Sequence, residues 1–149
     1  MYSHILISTD GSELAGKGLD HGLSLARALG SKVTIVTVTE PFPIFADAAG
    51  GGWSPGLVEP EGYEEDQKTY AEGILAAARA RADTAGVPVR TLHVAKSHPA
   101  EAIVETARTQ GCELIVMASH GRRGLGRLVL GSQTSEVVAS SPVPVLVVR

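Results

Sequence analysis

His4-Ile5-Leu6-Ile7-Ser8-Thr9, then Asp10-Gly11-Ser12, a leucine-rich stretch to Leu29, Gly30, and Lys32-Val33-Thr34-Ile35-Val36-Thr37-Val38: this passage decides the fold. Its first and last runs are short, apolar and β-branched, a composition that suits buried strands. Between them Ser12 can cap a helix through Leu19, Leu23, Leu25 and Leu29, and Gly30 supplies a left-handed end. Strand, helix and strand within about 35 residues make a crossover unit, which builds a parallel sheet.

Working outward, the alternation continues. Strands are expected at 89–95, 113–118 and 143–148, and helices at 63–85, 99–109 and 132–140. Pro99 suits a first helical turn, and Gly111 follows that helix. Glu64, Glu65 and Asp66 sit where a helix dipole favours acids, while Gly86 and Pro88 stop the longest helix. Nearly continuous apolar strands imply burial on both faces. The expectation is one doubly wound α/β domain over residues 1–149, with a five-stranded parallel sheet and four helices.

The composition excludes several classes. The chain has 149 residues, 44% hydrophobic and 19% charged, with a net charge of −3. That is a folded chain without the basic footprint of a nucleic-acid binder. Cys112 is the single cysteine, so no internal disulfide forms. The N-terminus lacks a basic leader, and no apolar run approaches the roughly 20 residues that span a bilayer. A cytoplasmic protein with no membrane contact is expected.

Residues 41–62 break the rhythm with prolines and glycines, and they hold Phe42, Phe45 and Trp53. So long a loop is a lid or partner contact, or else a mobile insertion.

In doubly wound sheets ligands sit beyond the carboxyl ends of the strands. Two such ends are polar or glycine-rich here: Ser8-Thr9-Asp10-Gly11-Ser12, and Met117-Ala118-Ser119-His120-Gly121 with the segment after it. Glycines let backbone N–H groups approach phosphate oxygens. Gly131 and Ser132 open a helix, where unpaired N–H groups and the dipole favour anions. Arg122, Arg123 and Arg127 concentrate positive charge nearby. There is no Walker lysine and no Rossmann glycine triplet. On these features a phosphate site and a plain βα connection with a capping serine remain open.

Taken together, the motifs resemble the universal stress protein family. They are Ile5-Leu6-Ile7-Ser8-Thr9-Asp10-Gly11-Ser12, Pro99-Ala100-Glu101-Ala102-Ile103, Glu113-Leu114-Ile115-Val116-Met117-Ala118-Ser119-His120-Gly121, Leu130-Gly131-Ser132 and Pro142-Val143-Pro144-Val145-Leu146-Val147-Val148. The ATP-binding branch of that family carries glycine, two residues, glycine, nine residues, then glycine and serine or threonine. Here Gly121, residues 122–130, Gly131 and Ser132 fit, but Ala118 replaces the first glycine. A need for positive φ there would penalise the methyl, whereas a need for clearance alone would make Ala the smallest intrusion.

The resemblance implies strand order 3-2-1-4-5 and an ATP site, with Mg²⁺ or Mn²⁺ as a companion ion. Ser8, Thr9 and Asp10 would stand near the nucleoside and phosphates, and Val38 would meet adenine through its backbone. Met117, Ala118 and His120 would line the ribose and phosphate path. Gly121, Gly131, Ser132, Gln133 and Thr134 would contact phosphates. No resident metal cluster and no catalytic residue is implied.

The remaining candidates read as structural. Asp10 can also cap the first helix. His93 reads as packed, His98 as a cap and Cys112 as inert. Ser119 and His120 are neighbours, which argues against a nucleophile–base pair. The terminal run Val143-Pro144-Val145-Leu146-Val147-Val148, if an edge strand, would pair with a second copy to give a homodimer. The expected function is a nucleotide-dependent stress-response module with at most slow ATP hydrolysis. A nucleotide-free dimeric interaction protein of the same fold is the alternative, and Ala118 favours it.

Overall fold

In the computed structural model, residues 1–43, 59–121 and 130–149 are described. The elements run β1 (His4–Ser8), α1 (Glu13–Leu29), β2 (Lys32–Val38), α2 (Tyr63–Ala85), β3 (Val89–Val94), α3 (Pro99–Gln110), β4 (Leu114–Ala118), α4 (Ser132–Ser140) and β5 (Val145–Val148). All pairings are parallel, and the five strands lie in the order β3-β2-β1-β4-β5, as expected.

Side-chain alternation along β1 builds both layers. Ile5 and Ile7 pack with Val33 and Ile35 against Leu19 and Leu23 of α1 and Leu75, Ala78 and Ala82 of α2. Leu6 points the other way, with Val36 and Ile115, onto Ala100, Ile103 and Ala107 of α3 and Val137 of α4. Ile7 pairs with Ile35 on one side and Val116 on the other, so the centre of the sheet is sealed.

The caps fall where the sequence places them. The Ser12 hydroxyl accepts the Ala15 N–H at 3.2 Å, and Gly30 closes α1 at φ 67°. Strand ends shift by one or two residues. β1 stops at Ser8, although the Thr9 N–H still donates to Val36 O at 3.0 Å. β5 begins at Val145 instead of Val143, because Ser141 turns the chain: its hydroxyl donates to Val143 O and accepts the Val143 N–H. β5 is an edge strand, and all four of its residues are half-exposed.

Of the expected 41–62 loop, Phe45 and Trp53 lie outside the described residues. Phe42 packs edge-on against Tyr63, with ring centroids 5.2 Å apart.

A candidate nucleotide cleft

The carboxyl ends of β1, β2 and β4 open into a cleft of about 450 Å³, closed on its flanks by α2 and the N-termini of α3 and α4. That volume suits a small organic ligand. Every site residue expected from the sequence borders it. Ser8, Thr9 and Asp10 come from the end of β1, Val38 from β2, and Met117, Ala118, His120 and Gly121 from β4 and the turn after it. Gly131, Ser132, Gln133 and Thr134 come from the start of α4. Arg122, Arg123 and Arg127 lie outside the described residues.

Two glycines of the cleft sit at close approaches, one to a side chain and one to backbone. A Cβ on Gly121 would stand 2.5 Å from Asp10 Oδ2, and one on Gly131 would stand 3.2 Å from Ser119 O. Gly131 also donates its N–H to Ser119 O at 2.8 Å, which ties the start of α4 to the end of β4. Asp10 does not cap α1. It accepts the Ser12 N–H at 2.9 Å on Oδ1 and thereby shapes the turn, while Ser12 is the cap.

Ala118 is an ordinary strand residue. Among the described non-glycine residues only Lys96 has a positive φ, so nothing in the backbone at Ala118 calls for glycine. Its carbonyl accepts the Thr134 hydroxyl at 2.9 Å. That bond uses the Thr134 side chain, leaving its backbone N–H as the group available to a phosphate. Gln133 is likewise engaged on one side: its Oε1 accepts the Ala100 N–H at 3.1 Å and so caps α3. Its amide NH₂ keeps its donors.

His98 does not cap α3 with its side chain. It pairs with Glu136 of α4 at 2.9 Å, and that hydrogen bond, outweighing the slight desolvation, raises the His98 pKa above its ordinary value. His93 is packed, sharing a hydrogen bond with Thr39 at 2.8 Å. Burial raises the Cys112 thiol to about 11, which fits an inert side chain.

Ser119 and His120, set aside as a pair because adjacent side chains rarely meet, are 3.1 Å apart through Oγ and Nδ1. The Ser119 side chain is buried, so the contact fixes the imidazole without presenting a nucleophile. His120 Nε2 is the buried side-chain nitrogen or oxygen left without a hydrogen-bond partner among the described residues. The imidazole edge lies against Gly131, at the N-terminus of α4. His120, the N-terminus of α4 and the close approaches at Gly121 and Gly131 thus meet at one end of the cleft.

The family model for the universal stress protein family matches residues 1–149. The chain belongs to the universal stress protein family. A universal stress protein of Thermus aquaticus is 35% identical over 149 residues, covering 100% of both chains. The structure of MJ0577, from Methanocaldococcus jannaschii, aligns with a TM-score of 0.78 at 29% identity, covering 99% of this chain and 96% of that one. A universal stress protein solved in complex with cAMP aligns with a TM-score of 0.72 at 25% identity, covering 99% and 97%.

The residues that sequence reasoning passed over lie on the far wall. Thr37, Thr39, Glu40, Tyr63, Gln67 and Tyr70 also border the cleft. The signal for the last three was a spacing of four and three residues along α2, masked by the acids between them.

Proposed function

We propose that this universal stress protein is a regulatory module that binds an adenine nucleotide, ATP in particular, at the carboxyl end of its sheet. The observation that carries this reading is the junction of β4 and α4. There the Gly121 and Gly131 approaches, the first N–H groups of α4 and the residue His120 meet at one cleft. The cAMP complex of a relative of the same fold supports the adenine assignment.

Phosphates would pass close to Gly121 and Gly131 and rest on the N–H groups of Ser132 and Gln133, with donors added by the Ser132 hydroxyl and the Gln133 amide. Val38 would meet the base. No group of three or more metal-ligating side chains exists among the described residues. A Mg²⁺ or Mn²⁺ ion would arrive with the phosphates, and Asp10 is a carboxylate bordering the same cleft. With no Walker lysine and no positioned base, hydrolysis would be slow and the output a change of surface. Ala118, an unstrained strand residue, gives the nucleotide-free alternative no support from the backbone.

The half-exposed edge strand β5 would pair with its counterpart in a second copy to form a homodimer in the cytoplasm. Among the described residues no helix is long and apolar enough to cross a membrane.

The test is direct. The purified chain is denatured, its released nucleotides are resolved by ion exchange, and Mg-ATP is titrated into the emptied protein. Co-purified ATP or ADP, or a rise in Tm with millimolar Mg-ATP, supports the reading. Absence of both overturns it. Turnover faster than a few per minute would make the chain an enzyme rather than a sensor.

A further inference from the structure

Helix α2 carries two parallel stripes. Ala71, Leu75, Ala78 and Ala82 are its buried residues. Tyr63, Gln67, Tyr70 and Ile74 repeat the same spacing on another face, and all four border the cleft. No residue of α2 before Ala71 is buried. The first two turns therefore overhang the strand ends instead of packing on the sheet.

The overhang stands on the β2 side, where Val38, Thr39 and Glu40 enter the same cleft. The phosphate-binding groups belong to β4 and α4. β1 separates β2 from β4, so the two ends are two strand spacings apart, about 9–10 Å. A ribose and its base cover that distance from a phosphate held at Gly131. Two contacts meet the overhang: Phe42 packs edge-on against Tyr63, and Lys96, just past β3, forms an exposed ion pair with Glu64.

We propose that the first two turns of α2 form the nucleobase wall of the cleft. Tyr63 and Tyr70 offer aromatic faces to the base, and Gln67 between them is the specificity-determining side chain. Its amide matches a base edge that sets a donor beside an acceptor, as adenine does. This inference rests on the nucleotide reading and names the side chains that select the base.

The experiment compares two ligands on the full-length protein by calorimetry: Mg-ATP, and magnesium tripolyphosphate, which has no base. In Tyr63→Ala, ATP affinity falls at least about fivefold, the scale of one lost base–aromatic stack. Gln67→Ala falls in the same direction, and tripolyphosphate affinity stays at the wild-type value in both. Gln67 is only half-buried, and Gln67→Ala improves helix propensity, so it keeps the test open even if Tyr63→Ala folds poorly. Gly131→Val should show the opposite signature and lose both ligands. Equal losses of ATP and tripolyphosphate in the α2 variants, or no loss of ATP, would overturn the wall while leaving the nucleotide site standing. A wild-type protein that binds neither ligand overturns both readings.

Discussion

The two ends of the sheet use the same kinds of polar residue and finish them differently. At the amino end every polar group named here is matched within the chain. The Ser3 hydroxyl and N–H both donate to the Glu113 carboxylate, at 2.5 and 3.1 Å, and the Ser31 hydroxyl donates to Tyr2 O. His4 shares a hydrogen bond with Thr34 at 2.8 Å. At the carboxyl end, His120 Nε2 has no partner among the described residues, and α4 begins without a side-chain cap. Serines, histidines and acids therefore do not mark the site by themselves. The two ends differ instead in their unfinished hydrogen bonding and in the close approaches at Gly121 and Gly131.

That contrast can be broken, most forcefully in the core beneath the amino end. Ile5→Ala, at a fully buried position, should cost about 2–5 kcal/mol of stability in urea unfolding and leave ATP affinity unchanged well below Tm. The reverse is expected at the other end. Gly121→Val should weaken ATP binding at least tenfold, about 1.4 kcal/mol, because the new side chain displaces the Asp10 carboxylate. Its Tm should stay close to wild type, since position 121 is exposed.

Smaller effects separate the ends by pH. The Ser3 hydrogen bonds hold the Glu113 carboxyl below its ordinary pKa. Its stabilisation is therefore present above the usual carboxylate range and is lost as pH falls through the depressed value. Glu113→Gln should lower Tm at neutral pH and lose that deficit in strong acid. His98, raised by Glu136, has the opposite sign: its contribution is present below about 6.5 and disappears as pH rises through the higher folded value. His98→Ala should therefore cost more Tm at pH 5.5 than at pH 8.5. The smallest expected effect is at Cys112, whose buried thiol should resist a disulfide reagent at pH 8 until the protein is unfolded.

The strands were legible because β-branched runs such as Lys32–Val38 have few other uses, and helix ends because Ser12 and Gly30 are strong local signals. β5 was placed two residues early, since Val143 is as apolar as a strand residue and only the Ser141 turn removes it. The β4–α4 end of the cleft was legible through its glycines and the family motif. The α2 side of the cleft was not. Tyr63-Glu64-Glu65-Asp66-Gln67 reads as a solvated helix start, and whether a helix overhangs a sheet depends on where the sheet ends beneath it. Ser119 and His120 were misjudged for a related reason: adjacency along the chain limits contact in regular structure, but the chain turns after β4.

The central position of β1 also sets a timetable. In chain order β1 precedes the other described strands, and one of its two neighbours, β4, comes about 110 residues later, as the Ser3–Glu113 contact spans. At about 5–20 residues per second, β1 waits some 5–20 s for that edge to be covered. A β1-α1-β2 unit could gather during translation, yet the sheet cannot close until β4 arrives. Rare codons between β3 and β4 would lengthen the interval in which an apolar strand edge is open to other chains.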